Sequence, residues 1–256
     1  MDFPIQLKVG GAVLSLHLLF ETLAFVVGFR YFLYLRKRVN DPIETGDRIW
    51  ILIGAAFGAF FFSRLIGNLE DPVALFSQSH PFWYYFGNKT IVGALLGGLL
   101  CVEITKKIIG EKNSSGDLFT YPLILGIIIG RLGCFTSGVT EPTYGIATSL
   151  PWGMDLGDGI LRHPLPLYEI LFLLILWFGL VRLEKAYTLR EGLRFELFMI
   201  GYLLYRFLIG FLKPGFRFDF GLTTIQIVSF LGLLYYSRTI VALLISRSTL
   251  FADRHA

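Results

Sequence analysis

The chain has few charged residues and almost no cysteine. Only 16% of its 256 residues are charged, 54% are hydrophobic, and the mean hydropathy is +0.64. Soluble domains carry about 25% charged residues, so this composition excludes an ordinary soluble domain and predicts an integral membrane protein. The two cysteines, Cys101 and Cys134, both fall in apolar segments. They support neither a disulfide framework nor a metal site.

Long apolar segments account for most of the chain. Seven of them approach the ~20 residues needed to cross a bilayer: about 12–35, 49–68, 90–108, 118–137, 165–183, 195–212 and 221–246. No room remains for a separate soluble catalytic domain. We therefore expect an all-α polytopic membrane protein with seven transmembrane helices in one domain, 1–256, with an extracytoplasmic loop at about 136–164.

The ends of the predicted spans carry local signals. The first apolar segment is preceded by no basic region and no small-residue cleavage site, so a removable signal peptide is not expected. Asp117 directly precedes the fourth segment and is predicted to cap that helix.

Basic residues are concentrated in alternate loops, which orients the predicted bundle. The first, third and fifth loops contain most of them: Arg30, Arg36, Lys37, Arg38, Arg48, Lys106, Lys107, Lys112, Arg182, Lys185, Arg190 and Arg194. The loop at 69–88 has none, and 136–164 has only Arg162. By the positive-inside rule, the N-terminus lies outside and the C-terminus in the cytoplasm. The net charge of +4 reflects this bias and gives no argument for a nucleic-acid partner.

Three arginines interrupt segments that otherwise predict membrane-spanning helices. Arg64, Arg131 and Arg206 all fall in the outer half of the bilayer in this orientation. A guanidinium at a helix centre costs on the order of 3 kcal/mol. The functional interpretation is a site for an anionic group; the structural one is that each arginine reaches the headgroups or pairs with an intramembrane carboxylate. The candidates for such pairing are Glu21, Glu103 and Glu169.

Two sequence blocks have a recognisable order. Gly-Arg-Leu-Gly-Cys-Phe runs from Gly130 to Phe135, with Gly133 inside it, and is followed by Tyr144-Gly145. His-Pro-Leu-Pro-Leu-Tyr-Glu runs from His163 to Glu169. Together with Arg206 on the sixth segment and Gln226 on the seventh, these blocks resemble the prolipoprotein diacylglyceryl transferase family over the whole chain.

The resemblance implies a multi-pass enzyme of the bacterial cytoplasmic (inner) membrane, with its active site facing the outer leaflet. Such enzymes move the diacylglyceryl group of phosphatidylglycerol to the lipobox cysteine of a prolipoprotein signal peptide, forming a thioether and releasing glycerol phosphate. The partners implied are therefore phosphatidylglycerol, prolipoprotein signal peptides and membrane lipids. No metal or organic cofactor is implied.

The family's residues carry over position by position. Arg131 and Arg206 match its two arginines and are expected to hold the phosphate, because a guanidinium can bind phosphate oxygens in a two-pronged manner. Arg64 matches a third arginine. The remaining matches, expected at the substrate site, are Gly93, Gly130, Gly133, Gly145, His163, Tyr168, Glu169 and Gln226.

Some of these residues are open to a second interpretation. Glu169 could bind substrate or hold Arg131 or Arg162 in place. His163 could be a base or a loop residue. Lys89, in the setting Gly-Asn-Lys-Thr before a helix, could grip a phosphate or anchor to headgroups.

The departures from the family concern the proton acceptor. The family's His-Gly-Gly block appears here as Val92-Gly93-Ala94, Cys134 replaces a signature asparagine, and Glu21 stands at a usual tyrosine. We therefore expect His163 or Glu21 to accept the thiol proton in place of the missing histidine. The alternatives are a relative that binds anionic phospholipid without catalysis or with another acceptor, and an organic-anion transporter.

Overall fold

The computed structural model describes residues 3–9, 12–39, 41–77, 82–245 and 251–253, and it is mostly helical. Its helices are α1 (Leu16–Arg38), α2 (Thr45–Asn68), α3 (Pro72–Ser77), α4 (Phe82–Gly87), α5 (Ile91–Ile109), α6 (Asp117–Ser137), α7 (Leu165–Ala186), α8 (Leu193–Ile209), α9 (Thr224–Tyr235) and α10 (Ser237–Ile245). Three short two-stranded antiparallel sheets pair β1 (Gln6–Val9) with β2 (Ala12–Ser15), β3 (Met154–Asp155) with β4 (Leu161–Arg162), and β5 (Tyr187–Leu189) with β6 (Phe251–Asp253).

The helices confirm a multi-pass membrane protein. Among the described residues, five are long and apolar enough to span a bilayer: α1, α2, α6 extended to Thr140, α7, and α8 extended to Leu212. A sixth span exists if α9 and α10 count as one, although they bend by 61° at Tyr236. Helix α5 carries Glu103, Lys106 and Lys107 in its second half and does not meet the same criterion. The number seven therefore stays a prediction.

Two predicted segments differ from the observed helices, one at its start and one by a bend within it. Residues 12–15 lie in β2, so α1 begins only at Leu16, where the Ser15 hydroxyl accepts a hydrogen bond from Leu18 N. The segment at 221–246 is not one straight helix but the bent pair α9 and α10. Apolar content alone cannot distinguish a strand or a break from a continuous helix, so the sequence does not predict either feature.

Glycines let two pairs of helices approach closely. A Cβ added at Gly93 on α5 would lie 2.5 Å from the Phe62 carbonyl oxygen of α2. One added at Gly133 on α6 would lie 3.2 Å from the His17 carbonyl oxygen of α1. These contacts account for both glycines by helix packing, as expected for small residues in membrane bundles.

Asp117 acts on a different helix from the one predicted. Its carboxylate accepts hydrogen bonds from the backbone N–H groups of Gly192 (2.7 Å) and Phe195 (3.0 Å), at the start of α8. The N-cap of α6 is Gly116, which makes no side-chain cap. Asp117 therefore satisfies free N–H groups of α8 and ties α6 to it.

The buried core lies between α5, α6, α7, α8 and α9. Its fully buried members include Val92, Ile124, Leu173, Phe198 and Leu203. Large apolar side chains on the outer faces, such as those of α1 and α2, are exposed, as lipid-facing residues are in a membrane bundle. The end of α6, the start of α7 and the end of α8 meet at one edge of this core, where the polar residues collect.

Candidate active site

Glu169 joins three helices at this edge. It lies one turn into α7 and is 3% exposed. The Tyr202 hydroxyl donates to Glu169 Oε1 (2.7 Å), and Arg206 Nη1 donates to Oε2 (2.8 Å). Arg131 Nε lies 2.9 Å from Oε1 and forms a second ion pair. The carboxylate therefore holds an arginine of α6 and one of α8 on either side of itself.

This cluster of Arg131, Glu169 and Arg206 (the arginine cluster) keeps an excess of positive charge. Two guanidiniums and one carboxylate leave one net positive charge at a buried place. The Nε–H group of Arg206 is buried and has no hydrogen-bond partner among the described residues, whereas Arg131 Nε lies against Glu169 Oε1. Unpaired buried donors are costly, so an anionic ligand with several oxygens would be stabilised here.

A cavity of about 190 Å³ opens beside the arginine cluster. Its walls include both arginines, Glu169, Leu165, Pro166 and Ile209. Further polar groups around it are Glu70, Asp71, Thr143, Lys213 and Thr223. The cavity has space for several water molecules or for a polar group of a few heavy atoms.

The end of α8 is held in place by further charged contacts. Lys213 Nζ lies 2.5 Å from Glu70 Oε2, which ties the segment after α8 to the end of α2. Arg217 donates from Nη2 to the carbonyl oxygens of Gly210 (3.0 Å) and Lys213 (3.1 Å). These bonds satisfy carbonyl groups left free at the end of a helix and fix the cavity wall.

His163 lies in a second, adjacent group. It is buried, and its Nδ1 lies 3.0 Å from the Tyr168 hydroxyl, which also accepts from Trp152 Nε1 (2.8 Å). Gly145 N donates to the His163 carbonyl oxygen (2.9 Å), and a Cβ at Gly145 would lie 2.6 Å from His163 Cβ. Gly145 is thus needed for the close approach of two backbone segments.

Glu21 and Lys89 form an ion pair between α1 and the segment before α5. His17 Nε2 lies 3.8 Å from the other oxygen of Glu21, and His17 and Cys134 are close enough to interact electrostatically. Cys134 Sγ in turn accepts a long hydrogen bond from Arg131 Nη1 (3.7 Å). Ion pairs and electrostatic interactions therefore link Lys89 to the arginine cluster.

Arg64 is separate from the other two arginines. Its guanidinium carbon lies 3.8 Å from the centre of the Phe60 ring and 4.4 Å from that of Phe86, and Nη1 donates to the Phe60 carbonyl oxygen (3.2 Å). Arg64 is not among the described residues that line the cavity. Stacking on two aromatic faces offsets part of the cost of its charge.

The remaining predicted site residues have structural contacts. Gln226 is fully buried; its Oε1 accepts from Thr223 N (2.9 Å) and its Nε2 donates to the Phe207 carbonyl oxygen (3.1 Å), so it caps α9 and ties it to α8. Gly130 has open space where a Cβ would stand. A role in substrate binding for these residues, and for Gly93 and Gly133, stays a prediction.

The loop after α6 is ordered by its acidic residues. Asp155 Oδ1 accepts from the backbone N–H groups of Gly157 (2.9 Å) and Gly159 (3.0 Å), and these bonds lower the pKa of Asp155. The hydrogen bond from Arg162 lowers the pKa of Asp158 and raises that of Arg162. Both carboxylates are therefore ionised near neutral pH and hold the β3–β4 hairpin next to His163.

Sequence reasoning missed four polar residues at this site: Tyr202, Glu70, Lys213 and His17. Tyr202 lies one helical turn before Arg206, so it shares a helix face with that arginine and could have been found by spacing. Glu70 and Lys213 are far apart in the chain, and their pairing has no local signal. His17 could have been noted because it stands one turn before Glu21.

Comparison with known proteins identifies the family. A family model described as prolipoprotein diacylglyceryl transferase matches residues 4–243. A phosphatidylglycerol–prolipoprotein diacylglyceryl transferase of Campylobacter lari is 32% identical over 198 residues, covering 72% of this chain and 70% of the relative. One of Bordetella bronchiseptica is 28% identical over 234 residues, 84% of each chain. Since the family model spans nearly the whole sequence, this chain belongs to the prolipoprotein diacylglyceryl transferase family.

Proposed function

We propose that the protein is a phosphatidylglycerol–prolipoprotein diacylglyceryl transferase that modifies the lipobox cysteine of prolipoprotein signal peptides. The observation that carries the proposal is the arginine cluster: in a member of this family, two buried guanidiniums share one carboxylate beside a small polar cavity. The net positive charge suits the phosphate of an anionic phospholipid, and the apolar outer faces suit a lipid donor that arrives within the bilayer.

The chemistry is a displacement at carbon. The thiolate sulfur of the prolipoprotein attacks the diacylglyceryl carbon that is esterified to phosphate. A carbon–sulfur bond forms, the carbon–oxygen bond to phosphate breaks, and glycerol phosphate leaves with the electron pair. Arg131 and Arg206 stabilise the charge that develops on the leaving oxygens, and the thiol proton goes to a base. The nucleophile belongs to the substrate, so the enzyme needs no cysteine of its own.

The proposed setting is the bacterial inner membrane. The loop charges favour seven spans in one domain, with the N-terminus outside, the C-terminus in the cytoplasm, and the site open to the outer leaflet. Secreted prolipoproteins and the phospholipids of the outer leaflet would then reach the site from the same side of the membrane.

Reporter fusions test this orientation. A reporter that is active only outside the cytoplasm should be active when it is inserted within 139–160 and silent when it is inserted within 110–116. Basic residues are concentrated in the loops on the same side as 110–116, which the positive-inside rule assigns to the cytoplasm. Membrane fractionation of both fusions controls for expression. The reverse pattern would place the arginine cluster in the inner half of the bilayer and contradict the proposal.

The base is proposed to be Glu21 or His163. A thiol with an ordinary pKa near ~8.5 is only a few per cent ionised at neutral pH. Loss of the base should therefore slow transfer by about 10²-fold and remove the ascending limb of the pH–rate profile. We expect this in Glu21→Gln or in His163→Asn, measured as transfer of labelled lipid to a lipobox peptide.

A carboxylate elsewhere provides the matched control. Glu103→Gln removes a half-exposed group of α5 that pairs with Lys106 and should leave the profile unchanged. If neither Glu21→Gln nor His163→Asn slows transfer while Arg131→Ala does, then the base assignment is wrong and phosphate binding carries the catalysis.

One observation favours a second candidate, a relative that binds anionic phospholipid without transferring it. Val92 stands where the family resemblance places a histidine, and it is fully buried in the apolar core. It cannot accept a proton, so a protein that kept the arginine cluster and lost its base would bind phosphatidylglycerol only. The transfer assay separates the two functions.

A further inference from the structure

The cavity extends beyond the arginine cluster to groups that no step of the transfer uses. Thr143 lines it, and the Thr143 hydroxyl oxygen is buried with no hydrogen-bond partner among the described residues. Glu70 lines it as well, and its ion pair with Lys213 uses only one of its two carboxylate oxygens. Glu70 is also near enough to Arg206 to interact with that guanidinium electrostatically. These groups therefore belong to the same cavity as the arginine cluster.

The two parts of the cavity differ in hydrogen-bonding character. The arginine cluster offers only donors, which fit phosphate oxygens. The neighbouring wall offers an acceptor in the Glu70 carboxylate and a group in Thr143 that both donates and accepts. A ligand that fills both parts has a phosphate joined to a hydroxyl-bearing group.

The polar groups of this wall suit neutral hydroxyl groups. Lys213 pairs with one oxygen of Glu70, and the Asp71 carboxylate also lines the cavity. Neutral hydroxyl groups are repelled by none of these charges. They can donate to Glu70 and Thr143, and without them the Thr143 hydroxyl has no partner among the described residues, which is unfavourable for a buried polar group.

We propose that Glu70, Thr143 and Lys213 form a polyol subsite that recognises the hydroxyl groups of a glycerol headgroup on the lipid donor. This inference rests on the proposed function, since it assigns the leaving half of the donor to a defined wall of the cavity. It makes this wall the determinant of headgroup selectivity, with the arginine cluster binding the phosphate that all anionic phospholipids share.

Headgroup selectivity tests the subsite. The full-length protein is reconstituted in lipid nanodiscs, and phosphatidylglycerol is compared with phosphatidylpropanol, which has the same carbon chain without the two hydroxyl groups. We expect the unmodified protein to prefer phosphatidylglycerol by at least about tenfold, because a site built for hydroxyl groups rejects an analogue that lacks them. Transfer to a lipobox peptide is measured as kcat/KM, and binding by competition with labelled phosphatidylglycerol.

The variants are chosen so that folding does not decide the result. Thr143→Val keeps the shape of the side chain and loses its hydroxyl, while Thr143→Ser keeps the hydroxyl. The preference should fall several-fold in Thr143→Val and in Glu70→Gln and be kept in Thr143→Ser. Glu103→Gln, remote from the cavity, should leave it unchanged.

The outcomes separate this inference from the proposed function. If the protein binds phosphatidylglycerol in preference to phosphatidylpropanol and Thr143→Val loses that preference, the subsite is supported. This holds even if neither lipid is transferred, because the absence of transfer overturns only the proposed function. If the unmodified protein treats the two lipids alike, or if Thr143→Val and Glu70→Gln both keep its full preference, then the polyol subsite is wrong whatever the transfer rate.

Discussion

Replacing Arg131 with alanine should lower the rate of lipid transfer by about 10³-fold, and Arg131→Lys should recover little of it. Removing one donor that stabilises developing negative charge typically costs 10²–10³ in rate. Arg131 is 7% exposed and lines the cavity, so water cannot replace the lost charge. An ammonium is a point charge and cannot reproduce the planar grip of a guanidinium on two phosphate oxygens. The measurement is kcat/KM for transfer from phosphatidylglycerol to a lipobox peptide.

The matched control is Arg182→Lys, which makes the same exchange at an exposed position of α7. It should transfer lipid at the unmodified rate. A rate near that of the unmodified protein in Arg131→Lys would show that charge alone suffices and would remove the two-pronged contact from the mechanism.

Replacing Glu169 with glutamine should destabilise the protein by about 3–5 kcal/mol, the usual cost of removing one partner from a buried ion pair. The Glu169 carboxylate is the shared partner of Arg131 and Arg206, so its loss leaves two guanidiniums close together without compensation. Denaturant unfolding of the protein in detergent micelles measures the free energy. Transfer activity should fall as well, because the two arginines would move apart.

Two further variants separate charge from packing at Glu169. Tyr202→Phe removes only the hydrogen bond to Oε1 and should cost less, about 1.5–3 kcal/mol. Combining Glu169→Gln with Arg206→Gln removes one of the unpaired charges, so the double variant should be more stable than the two single costs predict. Strict additivity would mean that the ion pair contributes nothing and that Glu169→Gln acts through shape alone.

The helices and the intramembrane arginines could be predicted from sequence for physical reasons. Apolar segments of about 20 residues have few alternatives to a spanning helix, because an unsatisfied backbone is too costly in lipid. A guanidinium in such a segment needs a partner, and Glu169, which pairs with both Arg131 and Arg206, is one of three carboxylates that the sequence places within the spans. The interpretation of Glu169 as a residue that holds Arg131 in place is the one that its contacts support; Arg206, rather than Arg162, is its second partner.

The rest depended on contacts between distant parts of the chain. The position of Arg64, Arg131 and Arg206 along their helices predicts a similar depth in the bilayer, but it does not predict the direction in which each side chain points. Arg64 stacks on Phe60 and Phe86 and does not join the other two arginines. The Glu70–Lys213 pair joins the end of α2 to the end of α8. Asp117 caps α8, not its own helix, because the N–H groups that it meets come from a helix that follows much later in the chain.

The most direct measurement is transfer by the purified full-length protein from labelled phosphatidylglycerol to a synthetic lipobox peptide, with a peptide carrying serine for the cysteine as control. The expected result is a thioether-linked diacylglyceryl peptide, an equal amount of released glycerol phosphate, and neither product from the serine peptide. Saturable binding of phosphatidylglycerol with no modified peptide at any pH would contradict the transferase assignment and leave a lipid-binding member of the family.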